Sequence, residues 1–213
     1  MGGIPRSFIV MKHFFKAPTQ KELLPEVWIV SGLPRSGTSL MMMMLESTGI
    51  PPLTDHQRSA DNDNPRGYYE FERVKKLRQG DKDWLPQAQG KVVKVISALL
   101  AYLPPDYTYK VLFMQRALPE ILASQKKMLI NRGEDPEKIK DDEIAQSFKS
   151  HLAQVTGWLA NQPNFSTYYV DYNRLLEKPN PEVHQINHFL GGKLDEARML
   201  AAIDPSLYRQ RKL

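Results

Sequence analysis

The chain has 213 residues, 41% of them apolar and 25% charged, with no cysteine, a net charge of +5 and a pI near 9.3. That composition excludes a chain disordered throughout, and the absence of cysteine excludes disulfides, thiolate zinc sites and cysteine nucleophiles. There is no Lys/Arg block of the kind that binds nucleic acid, no apolar run near the ~18 residues that span a bilayer, and no signal-peptide core, "SFIV" being too short. Gly2 is followed by Arg6 where myristoylation needs Ser or Thr. The expectation is a cytoplasmic protein whose modest positive charge suits an anionic ligand.

Length and the lack of an internal repeat predict one domain over residues 1–213. Residues 1–25 read as an irregular arm with a short strand at Ser7–Met11, and residues 203–213 as a basic tail. Val27–Val30 is a β-rich run between Pro25 and Gly32, which suits a buried strand. A helix starts near Gly37. Leu40 to Leu45 is apolar on every side, so it is expected to be buried all round, its four methionines filling core. Gly49 and Pro51-Pro52 stop it. Residues 53–69 are a polar loop, and Glu70 to Gln79 suits a short helix. Lys91–Ile96 and Tyr109–Gln115 read as the second and third strands, with helical spacing at Leu118, Ile121, Leu122, Gln125 and Leu129. "NRGEDPEKIKDD" is a turn-rich break. A helix from Glu143 to about Ala160 precedes a fourth strand, Ser166–Val170, and helices follow over Pro181–Leu190 and Leu194–Ala202. Strands alternating with helices predict an α/β fold, a central parallel sheet flanked by helices in three layers, with ligand at the carboxyl ends of the strands.

The first strand runs into Gly32-Leu33-Pro34-Arg35-Ser36-Gly37-Thr38-Ser39. A nucleotide-binding P-loop reads G-x-x-x-x-G-K-[ST]. Gly32 and Gly37 have that spacing and Ser39 fills the hydroxyl position, but Thr38 stands in the lysine slot. A strand–glycine loop–helix unit binds anions because loop N–H groups converge and the helix N-terminus carries partial positive charge. Gly37 lets the backbone approach closely. Ser36, Thr38 and Ser39 add hydroxyls, and Arg35 adds a fork that holds two oxygens. Nothing in the loop obviously holds Mg²⁺, which a P-loop NTPase requires.

"GLPRSGTSL" resembles the 5′-phosphosulfate loop of sulfotransferases, which use 3′-phosphoadenosine 5′-phosphosulfate (PAPS). Two more segments are similar to that family. "FMQRALPEILASQ" closes the third strand, and the resemblance gives Arg116, with Ser124 eight residues on, to the 3′-phosphate. "YYVDYNRLLEKPNPEVHQINHFLG" matches the family's strand, tyrosine, proline and F-L-G helix, which sets Tyr172 near the adenine. Asn173-Arg174 replaces the family's Glu-Asp, a departure expected on the surface side of the motif. The resemblance spans about Val27 to Gly191. It implies sulfuryl transfer from PAPS to a hydroxyl or amine of an unidentified acceptor, without a metal. Pro34, Arg35, Ser36, Gly37, Thr38 and Ser39 would bind the phosphosulfate. Arg209, Arg211 and Lys212 would reach the 3′-phosphate, as a late basic segment does in some relatives.

In-line transfer needs charge stabilised on the leaving oxygen, a task that suits Arg35, and a base for the acceptor proton. The small-molecule members carry K-T-H at the end of the second strand. This chain reads Lys94-Val95-Ile96-Ser97, so Lys94 fills the lysine position and the histidine is missing. The tyrosylprotein members use a glutamate in the loop after the first helix. That region here offers His56, with a side chain that titrates near neutrality, then Asp55, with Glu70 and Glu72 in reserve. "DNDN" lacks the rest of a calcium loop, and His184 with His188 lacks the third ligand of a zinc site. Two rivals remain: a P-loop kinase or NTPase, and a non-catalytic module that kept a nucleotide fold. Thr38 and Arg116 argue against the first, and the missing histidine keeps the second in play.

Overall fold

A computed structural model describes residues 24–55, 57, 67–135 and 140–204. The Ser7–Met11 strand, His56, most of the "NRGEDPEKIKDD" break's centre and the tail arginines lie outside them.

Five strands form one parallel sheet: β1 Glu26–Gly32, β2 Pro52–Leu53, β3 Val92–Lys94, β4 Thr108–Gln115 and β5 Phe165–Asp171, in the order β2-β3-β1-β4-β5. The inner strands β1, β3 and β4 send alternate side chains into two apolar layers, so they read as hydrophobic runs. One layer joins Ile29, Val93, Val111 and Phe113 to Val155 and Leu159. The other joins Val30, Val92, Leu112 and Val170 to Met41, Met42, Met44 and Met199. Met41, Met42, Met44 and Met199 are completely buried, but Leu40 and Met43 are only partly covered and Glu46 is exposed, so the first helix is not buried all round as its apolar run predicts. The fold is the three-layer α/β arrangement that the alternation of elements predicts.

The helices are α1 Thr38–Ser47, α2 Leu118–Asn131, α3 Asp141–Leu159, α4 Tyr172–Glu177, α5 Pro179–Phe189 and α6 Glu196–Ala201. The short helix expected over Glu70 to Gln79 is a 3-10 helix at Glu72–Gln79, and further 3-10 turns cover Leu85–Ala88 and Ser97–Tyr102. Among the described residues no helix is long and apolar enough to cross a membrane.

Strand order decides where a ligand can sit. From β1 the chain moves to one side, through α1 to β2 and β3. It then crosses to the other side for β4 and β5. The crevice lies where that direction reverses, between the carboxyl ends of β1 and β4. Register places Gly32 opposite Met114 there, and Gln115 opposite Asp171. The glycine loop and Arg116 therefore leave the sheet side by side.

Candidate active site at the carboxyl ends of the strands

The loop after β1 is built around three left-handed or glycine-type backbones. Gly32 has φ 146° and Gly37 φ 99°, and Arg35 has φ 69°. For a side chain as large as arginine this is a sparsely populated conformation that costs on the order of 1–3 kcal/mol, the kind that survives where the surroundings enforce it. Ser36 supplies part of that enforcement. Its N–H and its hydroxyl both donate to the Leu33 carbonyl, at 3.2 and 2.7 Å. The Ser36 side chain is fully buried, so its hydroxyl shapes the loop. Pro34 is exposed at the tip. Gly37 caps α1 in the left-handed conformation, and no side chain caps that helix start or puts negative charge in its first turn. The first N–H groups of a helix have no partner within it. Those of Thr38 and Ser39 open α1 beneath the loop.

Behind the loop stands Tyr172, the first residue after β5. A β-carbon at position 37 would lie 2.3 and 2.6 Å from two atoms of its ring. On the ring's π system sits Arg116, its guanidinium carbon 4.7 Å from the centroid, within the range of a cation–π contact. Burial raises the Tyr172 phenol above its ordinary pKa, so it stays neutral; the Arg116 charge opposes that shift. The ring is almost wholly covered. Its surroundings are those of a support under Arg116 and the loop.

Arg116 ties three elements together. Nε donates to Glu120 at 2.9 Å and Nη1 to the Arg35 carbonyl at 3.1 Å. Asn173 donates to the other Glu120 oxygen at 2.8 Å, and its own oxygen accepts the Ala117 N–H at 3.3 Å. Asn173 is thus part of this inner network, not a surface substitution: the turn from β5 into α4 aims it back at the end of β4. Ser124, one helical face further along α2, is buried and accepts a hydrogen bond from Arg35 Nε at 2.9 Å. The residues that the sequence divides between two anion sites, Arg35 for one and Arg116 with Ser124 for the other, are directly hydrogen-bonded.

On the far side of the loop, Lys94 at the end of β3 donates to Ser39 Oγ at 3.2 Å and to the Tyr68 carbonyl at 2.8 Å. It links the loop to the segment 67–72. Asp55 braces the same segment. One carboxylate oxygen accepts the Glu72 N–H at 2.6 Å and the other the Gln57 N–H at 3.1 Å. Glu70 and Glu72 share Lys75, at 3.2 and 2.6 Å. The Glu72 hydrogen bond, first among several causes, raises the Lys75 pKa.

Two features escaped the sequence. Glu120 follows Arg116 at the i, i+4 spacing of a helical ion pair, a legible signal. Ser97 Oγ lies 2.8 Å from His151 Nε2, just beyond β3, and nothing in the sequence joins those two positions.

The site therefore gathers arginine forks, a lysine, hydroxyls and a helix start without a side-chain cap at the switch point of a parallel sheet. Its chemistry fits a ligand with more than one anionic group. The fold agrees with a known class. The chain is similar to the sulfotransferase domain of the Synechococcus PCC 7002 olefin synthase, at 16% identity and a TM-score of 0.54 over 91% of each chain. It is also similar to the sulfotransferase domain from the curacin biosynthetic pathway, at 15% identity and a TM-score of 0.51, covering 85% of this chain and 79% of that one. At such identity the likeness is one of fold. No family model matches the sequence, and no curated protein does.

Proposed function

We propose that the protein is a sulfotransferase that moves the sulfuryl group of PAPS to a hydroxyl or amine of its acceptor. One observation carries the proposal: a P-loop with Thr38 in place of lysine is hydrogen-bonded, through Arg35, to the pair Arg116 and Ser124 at the end of the neighbouring strand. A nucleoside triphosphate site gives no reason for that second anion-binding pair, whereas a nucleotide with phosphate at both its 5′ and 3′ positions does.

In this reading Arg35, Thr38, Ser39, Gly37 and the first N–H groups of α1 hold the 5′-phosphosulfate, with Pro34 and Ser36 shaping the loop. Arg116 and Ser124 hold the 3′-phosphate. Tyr172 supports both from below, and Arg209 and Arg211, outside the described residues, are assigned to the same 3′-phosphate. PAPS supplies the activated sulfuryl group. The acceptor oxygen or nitrogen attacks sulfur in line. Its new bond to sulfur forms as the bond from sulfur to the 5′-phosphate oxygen breaks, the acceptor loses a proton, and adenosine 3′,5′-bisphosphate leaves. Arg35 and Lys94 stabilise charge on the leaving oxygen. Asp55 has both oxygens engaged by backbone N–H groups, which suits a brace. We therefore assign the proton to His56, the next residue, because histidine is the side-chain type suited to proton transfer near neutral pH.

Turnover of isotope-labelled PAPS against a panel of phenols, alcohols and amines tests the proposal. Labelled product from any acceptor, lost on Arg35→Ala, is the expected result. Binding of the bisphosphate with no transfer to any acceptor would favour a binding module instead.

A further inference from the structure

The ion pair of Arg116 and Glu120 is buried, with the two side chains 7% and 3% exposed. A buried pair of this kind contributes little net stability beyond what apolar residues of the same shape would give. A carboxylate is also an unwelcome neighbour for a phosphate. Its presence at this spot therefore calls for a role other than packing. The geometry supplies one. Glu120 takes Arg116 by Nε, along the inner edge of the guanidinium, and Asn173 fixes the other carboxylate oxygen. The ring of Tyr172 sets the face of the guanidinium and the Arg35 carbonyl receives Nη1. The plane and direction of the fork are thus fixed from three sides. A free arginine side chain has rotamer freedom that a ligand would otherwise have to remove on binding.

We propose that Glu120 is a positioning residue that sets the selectivity of the site for a nucleotide bearing a 3′-phosphate, acting through the orientation of Arg116. Asn173 serves the same end by orienting Glu120. This rests on the assignment of Arg116 and Ser124 to the 3′-phosphate. It goes further by placing the discrimination in a carboxylate that acts on the nucleotide through Arg116.

The test compares affinities for adenosine 3′,5′-bisphosphate and adenosine 5′-monophosphate by calorimetry, so no acceptor is needed. The readout is their ratio. For Glu120→Ala the ratio is expected to fall about tenfold or more, the order of one well-oriented charge-assisted hydrogen bond, while the monophosphate affinity stays within about threefold. Glu120→Gln keeps the shape and an acceptor oxygen, and Asn173→Ala leaves Arg116 and its partner in place. Both are expected to show a smaller fall in the same ratio, and they carry the test if Glu120→Ala does not fold. An unchanged ratio in these variants would overturn the proposal. So would a raised ratio, which would mean that the carboxylate repels the phosphate more than it orients the arginine. An equal loss for both ligands, with a lowered melting temperature, would make Glu120 structural only and overturn it as well. A wild-type protein that does not prefer the bisphosphate would instead remove the donor-site assignment underneath.

Discussion

Arg35 combines two demands that point in opposite directions. Its backbone is strained at φ 69°, and its side chain is the one cation carried by the loop itself. Removing the side chain with Arg35→Ala is expected to lower sulfuryl-transfer kcat by ~10²–10³, as for other preorganised donors to a leaving or attacking oxygen. Arg35→Gly is expected to lose the same activity while melting no lower than Arg35→Ala, because glycine adopts that φ without strain. Steady-state assays and thermal melts on the two variants check both halves. Gly37 offers a sharper case. Alanine there would drive a β-carbon into the Tyr172 ring and hold an unfavourable backbone besides. Gly37→Ala is expected to destabilise the fold by about 1–3 kcal/mol and to abolish bisphosphate binding, seen by denaturant unfolding and titration. At this scale the sequence was informative where chemistry is written in residue type and spacing: the Gly32–Gly37 spacing, Thr38 in the lysine slot, Arg116 with Ser124. It was silent where a side chain turns inward. Ser36 reads as another hydroxyl ligand but spends its hydrogen on Leu33. Asn173 reads as a surface replacement but reaches Glu120.

Elements were legible in proportion to how much of their signal was local. The apolar runs of β1 and β4, the β-branched and aromatic run of β5 and the helical spacing of α2 are each visible within a short window. Pro52–Leu53 is too short to show a period, and it becomes a strand only because it pairs with Val92 and Val93. Helix α4 was missed because the turn from β5 passes straight into it. Asp171 caps it by accepting the Arg174 N–H at 3.0 Å, a capping signal hidden inside the strand motif. The joint between β5 and α5 carries a further polar tie. Tyr168 donates to the buried Glu182 at 2.9 Å, and Arg174 pairs with the same carboxylate at 3.0 Å. Burial, and then the hydrogen bond to Glu182, pushes the Tyr168 phenol up to about 12. A phenol whose folded pKa is raised favours the folded state while it is neutral. Its contribution is whole below the unfolded value near 10 and declines as pH rises from there toward 12. Stability of the wild type is therefore expected to fall over that window, and Tyr168→Phe to flatten the fall, as chemical denaturation at a series of pH values would show.

Taken whole, the molecule is a parallel sheet whose strand order opens one crevice, and the cationic groups are arranged around it. The placement of a ligand at the strands' carboxyl ends follows from alternation of elements alone. The identity of the ligand does not. It depends on contacts across the switch point, Arg35 to Ser124 and Arg116 to the Arg35 carbonyl, that join parts of the chain more than eighty residues apart. A site of this kind binds by charge as well as shape. Bisphosphate affinity is expected to weaken with added salt, and less so than for an exposed cluster, because Arg116 and Ser124 are buried. Titrations across a salt series measure this.

The most direct test is calorimetric titration with adenosine 3′,5′-bisphosphate beside ATP with Mg²⁺, on the wild type and on Arg116→Ala. A sulfotransferase donor site predicts tight binding of the bisphosphate, its loss in the variant, and no response to ATP. Binding of ATP with Mg²⁺ while the bisphosphate stays inert would contradict the account and return the loop to the P-loop kinases, with the role of their lysine left to find elsewhere.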